Sequence, residues 1–171
     1  MNWLVDGLGV LGIVTTILVY QQKDQKRLLW WKLTTDSVWL LHYLTLGAYS
    51  ACATSSVAIL RSAVFLNQDK KWAQGKGWLV VFMAISILLN ALVWQNMFSL
   101  LPLISSLACI VAYWIGNPRI TRLVSIPAAG LYLVYAVAFH SIEGVVCEMF
   151  IIISAIVGYF RHDYKKRAVQ A

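Results

Sequence analysis

The feature that most constrains this chain is a series of long apolar runs, each close to the roughly 20 residues that a helix needs to cross a hydrocarbon core. In lipid every backbone polar group must be bonded internally, and continuous rather than alternating apolar runs exclude a β-barrel. Only 12% of the residues are charged, too few to cover a water-facing surface. The sequence therefore predicts an all-α polytopic membrane protein with seven spans, at residues 2–20, 28–47, 51–66, 78–94, 98–115, 123–139 and 142–160.

Positive charge alternates along the connections between these runs. The connections 21–27, 67–77 and 116–122 and the tail 161–167 are basic, whereas the short connections between them carry no Lys or Arg. Under the positive-inside rule the basic side is cytoplasmic, which puts the N-terminus outside and the C-terminus inside. Topology thus accounts for the net charge of +7, and we expect no nucleic-acid partner.

An internal repeat is visible when the sequence is shifted by 93 residues, which places Tyr20 on Tyr113 and Trp39 on Tyr132. The first three spans then match the last three in order and direction, and the fourth is left over. Parallel repeats of this kind are a known transporter plan, with the solute site between the halves. We predict a 3+1+3 arrangement: a first three-helix bundle (1–67), a loop and linker helix (68–96), a second three-helix bundle (97–161) and a basic tail (162–171).

Among the charged residues of the spans, the strongest candidates for a functional role are Arg61 in the third span and Glu148 in the seventh. Charge within a membrane is costly, and such residues usually face the bundle interior and mark a solute path. The alternative for Arg61 is snorkelling to the headgroups, and the alternative for Glu148 is a protonated structural carboxylic acid. A direct salt bridge between them is not expected, because Glu148 lies nearer the outer leaflet.

Other side chains of the spans are candidates for lining the same solute site. Trp39 and Tyr132 are deep aromatic residues of the kind that stack on solutes in many pockets, and core packing is their alternative role. Asn90 and His42 are isolated polar residues, for which a structural hydrogen bond is the alternative.

Lys32 and Asp36 are candidates for a gate. Asp36 follows Lys32 by four residues, the spacing of an ion pair on one helix face. A local ion pair at the cytoplasmic mouth is the favoured interpretation, and an intracellular gate is the functional alternative.

Motifs for other chemistry are weak. Gly7, Gly9 and Gly12 spell GxGxxG inside an apolar helix rather than between a strand and a helix, so close helix packing explains them better than nucleotide binding. The three cysteines fall in apolar runs without a second ligand type nearby, which favours packing over a metal site. Neither a catalytic triad nor paired carboxylates stand out, so we expect no enzyme activity, no cofactor and no metal.

Three stretches resemble the YgjV-like family of bacterial inner membrane proteins: HYLTLGAYSACATSSVAILRSAVF at 42–65, LLPLISSLACIVAYW at 100–114 and HSIEGVVCEMFIIISAIVGYFR at 140–161. That family is in turn similar to the SWEET and PQ-loop transporters, which have the 3+1+3 plan. The resemblance implies a bacterial inner membrane location and a small-solute transporter fold, but no substrate. Gln21-Gln22 and Trp114-Ile115 replace the PQ signature, which argues against sugar transport.

These observations favour a small-solute transporter or facilitator that alternates access between two bundles. Its partners would be the lipid bilayer, a small solute and, in a homo-oligomer, further copies of the chain. The alternative is a non-transporting accessory, receptor or assembly protein on the same scaffold. A polar cavity inside the bundle favours the transporter, whereas an apolar core with a polar outer patch favours the alternative.

Overall fold

The structure is a computed structural model that describes residues 3–47, 49–94 and 96–164, and these ranges contain helices but no β-strand. Their seven α-helices are α1 (Trp3–Tyr20), α2 (Gln25–Thr45), α3 (Tyr49–Leu66), α4 (Gly77–Leu92), α5 (Leu100–Ile115), α6 (Pro118–Ala138) and α7 (Ile142–Tyr159). A 3-10 turn, Met97–Ser99, precedes α5, and a π-helical turn, Phe160–Tyr164, follows α7. The predicted all-α class is confirmed, while residue 2 of the first predicted span and residues 165–171 of the predicted tail lie outside the described residues.

Each helix lies within a few residues of its predicted span, except that α6 begins at Pro118 rather than at residue 123. Asn117 caps it by accepting a hydrogen bond from the backbone N–H of Arg119 at 3.0 Å. Proline suits the first turn because the N–H that it lacks would have no partner there. Most of the predicted basic connection is therefore helix, and this carries Arg122 into the bundle.

Some of the described helices have the length, and several outward faces have the apolar surface, that a bilayer requires. Within the described residues, three segments are long and apolar enough to cross a membrane: Met97–Ile115, Pro118–Ala138 and Gly144–Tyr164. Three shorter helices are also apolar: Val5–Tyr20, Ala51–Leu66 and Gly77–Leu92. Outward faces expose large apolar side chains such as Val80 and Leu92. Lipid solvates such faces, because it matches their apolar surface.

Helices that are neighbours in the chain pack against each other, and the first helix also contacts the last. α2 lies between α1 and α3, α6 lies between α5 and α7, and α4 contacts α3 and α5. Contact between α1 and α7 joins the first helix to the last. The core includes Val19, Leu28, Phe65 and Ile110, which come from four different helices and are buried together.

Two glycines of α1 allow α2 to approach closely. A Cβ on Gly12 would lie 2.9 Å from Cε2 of Trp39, and one on Gly9 would lie 3.4 Å from the His42 ring. Gly7 has nothing within 4 Å. Gly9 and Gly12 therefore serve the close helix packing that the sequence predicted, and Gly12 positions Trp39.

Candidate solute-binding site

A cavity lies inside the bundle between α1, α2 and α7. Its volume is ≈ 90 Å³, room for about three water molecules at roughly 30 Å³ each. Most of the side chains around it carry a hydroxyl, amine, indole or thiol group. The lining residues are Thr16, Val19, Tyr20, Lys32, Thr35, Trp39, Cys147 and Ile151.

Thr35 brings an unused hydrogen-bonding group to this cavity. Its side chain is 3% exposed, and Oγ1 has no hydrogen-bond partner among the described residues. The hydroxyl of Thr16, by contrast, donates to the carbonyl of Gly12 in its own helix at 2.7 Å. Buried polar groups are nearly always paired, so this unpaired hydroxyl, on a residue that lines the cavity, is a feature that the packing of the described residues does not explain.

The predicted ion pair between Lys32 and Asp36 is present and largely buried. Asp36 also accepts a hydrogen bond from Ser62 of α3 at 3.3 Å. Lys32 lines the cavity, and its ammonium group carries three donors, of which the ion pair occupies one. The pair therefore links α2 to α3 while leaving cationic donors beside the cavity.

Asp36→Asn should destabilise the protein, because it leaves the Lys32 charge without a counter-charge. We expect the free energy of unfolding to fall by about 2 kcal/mol, less than for a fully buried pair because the Lys32 side chain is 20% exposed. Thermal unfolding in detergent measures this effect. Asp24→Asn is the control, since Asp24 pairs with Arg27 at 3.7 Å on the exposed surface. Equal losses in the two variants would contradict the expectation.

Buried tyrosines form a polar layer behind the cavity. The phenol groups of Tyr20 on α1 and Tyr113 on α5 interact with each other, and Tyr20 also adjoins Ser125 of α6. All three side chains are buried. Tyr20 and Tyr113, which coincide under the 93-residue shift, thus meet in the buried core near the end of the bundle where α1 and α5 finish.

Arg61 reaches this layer from α3. Its guanidinium carbon lies 5.5 Å from the centre of the Tyr113 ring, a cation–π geometry. It is also within electrostatic range of Cys109 and Tyr132. Nε of Arg61 is buried without a hydrogen-bond partner, and no described carboxylate forms an ion pair with it. The side chain therefore lies against the bundle interior with an unused donor.

Glu148 lies on α7, one helical turn before the cavity-lining Ile151 and on the same face. Its carboxyl group is within electrostatic range of Lys32, Tyr20 and Tyr132. Within the described ranges Glu148 forms no ion pair. It therefore makes no salt bridge to Arg61, as the sequence predicted. Glu148 is thus an acidic group beside the cavity that pairs with no cationic side chain of the described residues.

The other predicted site residues are dispersed. Trp39 lines the cavity and donates a hydrogen bond from its indole to Thr16 at 3.4 Å. His42 lies farther along α2, where its Nδ1 is 3.2 Å from the carbonyl of Val5. Asn90 lies on α4, with a buried Oδ1 that has no described partner, and neither it nor His42 lines the cavity. The described residues include no group of three or more His, Cys, Asp or Glu placed to hold a metal ion.

Arg122 was not among the predicted site residues, yet it is the largest fully buried side chain of the described residues. Its Nε donates to the carbonyl of Tyr20 at 2.9 Å, and its Nη1 pairs with Asp163 at 2.6 Å. Its Nη2 donates to the carbonyl of Gln22. One guanidinium thus joins the end of α1, the start of α6 and the turn after α7.

A signal for the burial of Arg122 exists in the sequence. Asn117-Pro118 is a helix-start signal, which places Arg122 inside a helix rather than in a loop. Small residues then follow at helical spacing, Ser125 three positions and Ala129 seven positions later, and both are buried. The basic character of the segment concealed this pattern.

Further hydrogen bonds join α1 and α7 at the same end of the bundle. The amide of Gln21 donates to the carbonyl of Ser154 at 2.9 Å, and the hydroxyl of Ser154 donates to the carbonyl of Ile17 at 2.7 Å. A ring nitrogen of His162 lies 2.8 Å from the carbonyl of Gln21. We call the group Gln21, Arg122, Ser154, His162 and Asp163 the α1–α7 clamp, because it holds these helices together where both end.

Comparison with known proteins supports the membrane assignment. Residues 3–166 match the sequence model of the Imp-YgjV family, described as a bacterial inner membrane protein. No curated protein and no solved structure matches the chain. Because the family match covers nearly the whole chain, the protein belongs to the Imp-YgjV family of bacterial inner membrane proteins.

Proposed function

We propose that this protein is a small-solute transporter of the bacterial inner membrane. The observation that carries the proposal is the cavity between α1, α2 and α7, whose lining includes the side chains of Lys32 and Thr35, the latter with a hydroxyl that no described residue bonds. A purely structural bundle in lipid would be more stable with apolar side chains filling this space, because unpaired polar groups in hydrocarbon are costly. A solute path, in contrast, needs polar groups that the protein itself does not satisfy.

The proposed architecture is the 3+1+3 plan with seven spans. Helix contacts support it, since α2 is the middle helix of α1–α3 as α6 is of α5–α7, with α4 beside α3 and α5. The meeting of Tyr20 and Tyr113 also supports it, because corresponding residues of two repeats meet near the axis that relates them. In this arrangement the N-terminus lies outside and the basic C-terminal end is cytoplasmic.

Transport in this proposal proceeds by rocking one half against the other. The α1–α7 clamp joins the two halves at the basic end, and under the proposed topology this contact supports a state that is closed on the cytoplasmic side. The clamp consists of hydrogen bonds and an ion pair, and water can replace such contacts when the halves part. Lys32 and Cys147 line the cavity from different halves, so a bound solute contacts both moving parts.

Thr35→Val tests the proposal, because it removes the unpaired hydroxyl while keeping the shape of the side chain. If this hydroxyl binds solute, the concentration for half-maximal uptake should rise by about tenfold, the loss expected for one hydrogen bond of roughly 1–2 kcal/mol. The measurement is uptake of a panel of labelled metabolites and ions into proteoliposomes. Thr34→Val is the matched control, since the neighbouring Thr34 is exposed and bonds only within α2, to the carbonyl of Trp30.

Two outcomes would count against the transporter. Equal uptake by the Thr35→Val and Thr34→Val variants would remove the cavity from the solute path. No uptake of any panel solute by folded wild-type protein would favour the non-transporting scaffold, and co-purifying partners would then become the next observation to make.

A further inference from the structure

Apart from the Arg122–Asp163 pair of the clamp, whose charges cancel, four charged side chains of the described residues lie around the cavity and the buried tyrosines, and their charges balance. Lys32 and Asp36 cancel each other in their ion pair. Arg61 and Glu148 carry one further positive and one further negative charge, and neither forms an ion pair with a described residue. The bundle interior is therefore neutral when the cavity is empty and Glu148 is ionised.

Glu148 is placed to take up a proton without breaking a described contact. The titratable groups within electrostatic range of it are Lys32 from α2, Tyr20 from α1, Tyr132 from α6 and Cys109 from α5, with its chain neighbour Cys147 on α7. Asp36 would instead lose its bonds to Lys32 and Ser62 on protonation. A proton on Glu148 leaves the interior with one excess positive charge.

We propose that this transporter carries a small monovalent anion together with one proton, which resides on Glu148. The inference rests on the proposed transport function. A bound anion replaces the negative charge that protonation removes, so the loaded interior is neutral, as the empty one is. Once Glu148 carries the proton, a bound cation or a neutral solute leaves a net charge in a low-dielectric environment, where charge is costly. The proton enters and leaves on the same side as the anion, and no bond within the anion changes.

The cavity offers the contacts that an anion requires. Lys32 and Thr35 both line it, and hydrogen bonds from a charged donor such as Lys32 to an anion are the strong ones. Arg61 lies 5.5 Å from the Tyr113 ring and is not among the residues that line the cavity, so it adds positive charge without occupying it. A volume of ≈ 90 Å³ suits an anion of about four heavy atoms, such as nitrate or a short carboxylate, and is well below the roughly 300 Å³ of ordinary ligand pockets.

Nitrate, chloride and methanesulfonate are suitable probes, because their strong conjugate acids do not cross a bilayer as neutral molecules. Proteoliposomes with an internal pH dye receive an inward anion gradient, while potassium and valinomycin set the membrane potential. Wild-type protein should acidify the lumen at a rate that does not depend on the imposed potential. Glu148→Gln should acidify at least about tenfold more slowly, yet still exchange labelled anion, since exchange requires no net proton movement.

Asp6→Asn is the matched control, the same acid-to-amide change at an exposed position of α1, and it should acidify as the wild type does. Acidification by Glu148→Gln at the wild-type rate would overturn the inference. The inference would also be overturned if the rate of anion entry into vesicles with wild-type protein depended on the imposed potential. This second test does not require any variant to fold. Uptake of only cations or neutral solutes would overturn the inference and leave the transporter proposal standing, whereas no uptake at all would overturn both.

Discussion

Arg122→Ala is expected to lower the free energy of unfolding by about 3–5 kcal/mol, the range for removing one partner of a buried ion pair. The substitution removes three donor contacts at once, to Tyr20, Gln22 and Asp163. The Asp163 carboxylate, with a side chain only 12% exposed, keeps its charge and loses its partner. At roughly 2–4 °C per kcal/mol for a chain of this size, the unfolding temperature in detergent should fall by about 10 °C.

Arg27→Ala provides the matched control for this result. Arg27 also pairs with an aspartate, Asp24, but at 3.7 Å and with a side chain that is 75% exposed. Because of solvent screening and side-chain entropy, such pairs contribute less than about 1 kcal/mol to the free energy of unfolding, so the unfolding temperature should hardly change. If Arg122→Ala were as stable as Arg27→Ala, the buried network would contribute nothing and the α1–α7 clamp would not hold the helices.

Gly158→Ala is expected to have the second-largest effect, because α7 passes α1 at this residue without room for a side chain. A Cβ on Gly158 would overlap the carbonyl oxygen of Tyr20 and lie 3.1 Å from Nε of Arg122. The obstructing atom belongs to the backbone and cannot rotate away, so the helices must separate and the Arg122 bond to Tyr20 must lengthen. We expect a loss of about 3 kcal/mol, at the upper end of overpacking effects, measured by thermal unfolding in detergent.

Gly130→Ala is the control, since it makes the same substitution inside α6, where an added Cβ meets nothing within 4 Å. Alanine loses less conformational entropy than glycine on helix formation, so this variant should gain roughly 0.5–1 kcal/mol. The two substitutions are thus expected to have opposite signs. A stabilised Gly158→Ala variant would show that α1 and α7 do not approach as closely as the structure places them.

Features that depend on one helix were predictable from the sequence. The helical membrane class follows from the length and continuity of the apolar runs, which are properties of each segment alone. The Lys32–Asp36 ion pair follows from a spacing of four residues, which places both side chains on one helix face. Gly9 and Gly12 were predictable as packing residues, because a nucleotide site needs a strand that the sequence does not provide there.

The candidate site was predictable only in part. Trp39 and Lys32 line the cavity, and Glu148 lies beside it, whereas Asn90 and His42 do not reach it. Polarity within a span signals function in general, but it does not say which face of a helix points to the centre. Thr35 could not be predicted as a site residue from the sequence. A threonine is unusual only when its hydroxyl is buried without a partner, and burial is a tertiary property.

The class of fold and the local geometry within each helix follow from the sequence, because apolar length, helix signals and i,i+4 spacing act over a few turns. The places where the helices meet depend on tertiary packing. Arg122 shows the difference, since its partners lie 41 residues after it and 100 and 102 residues before it in the chain. A basic residue beside a membrane usually faces water, and here packing alone makes it a buried link between the first helix and the last.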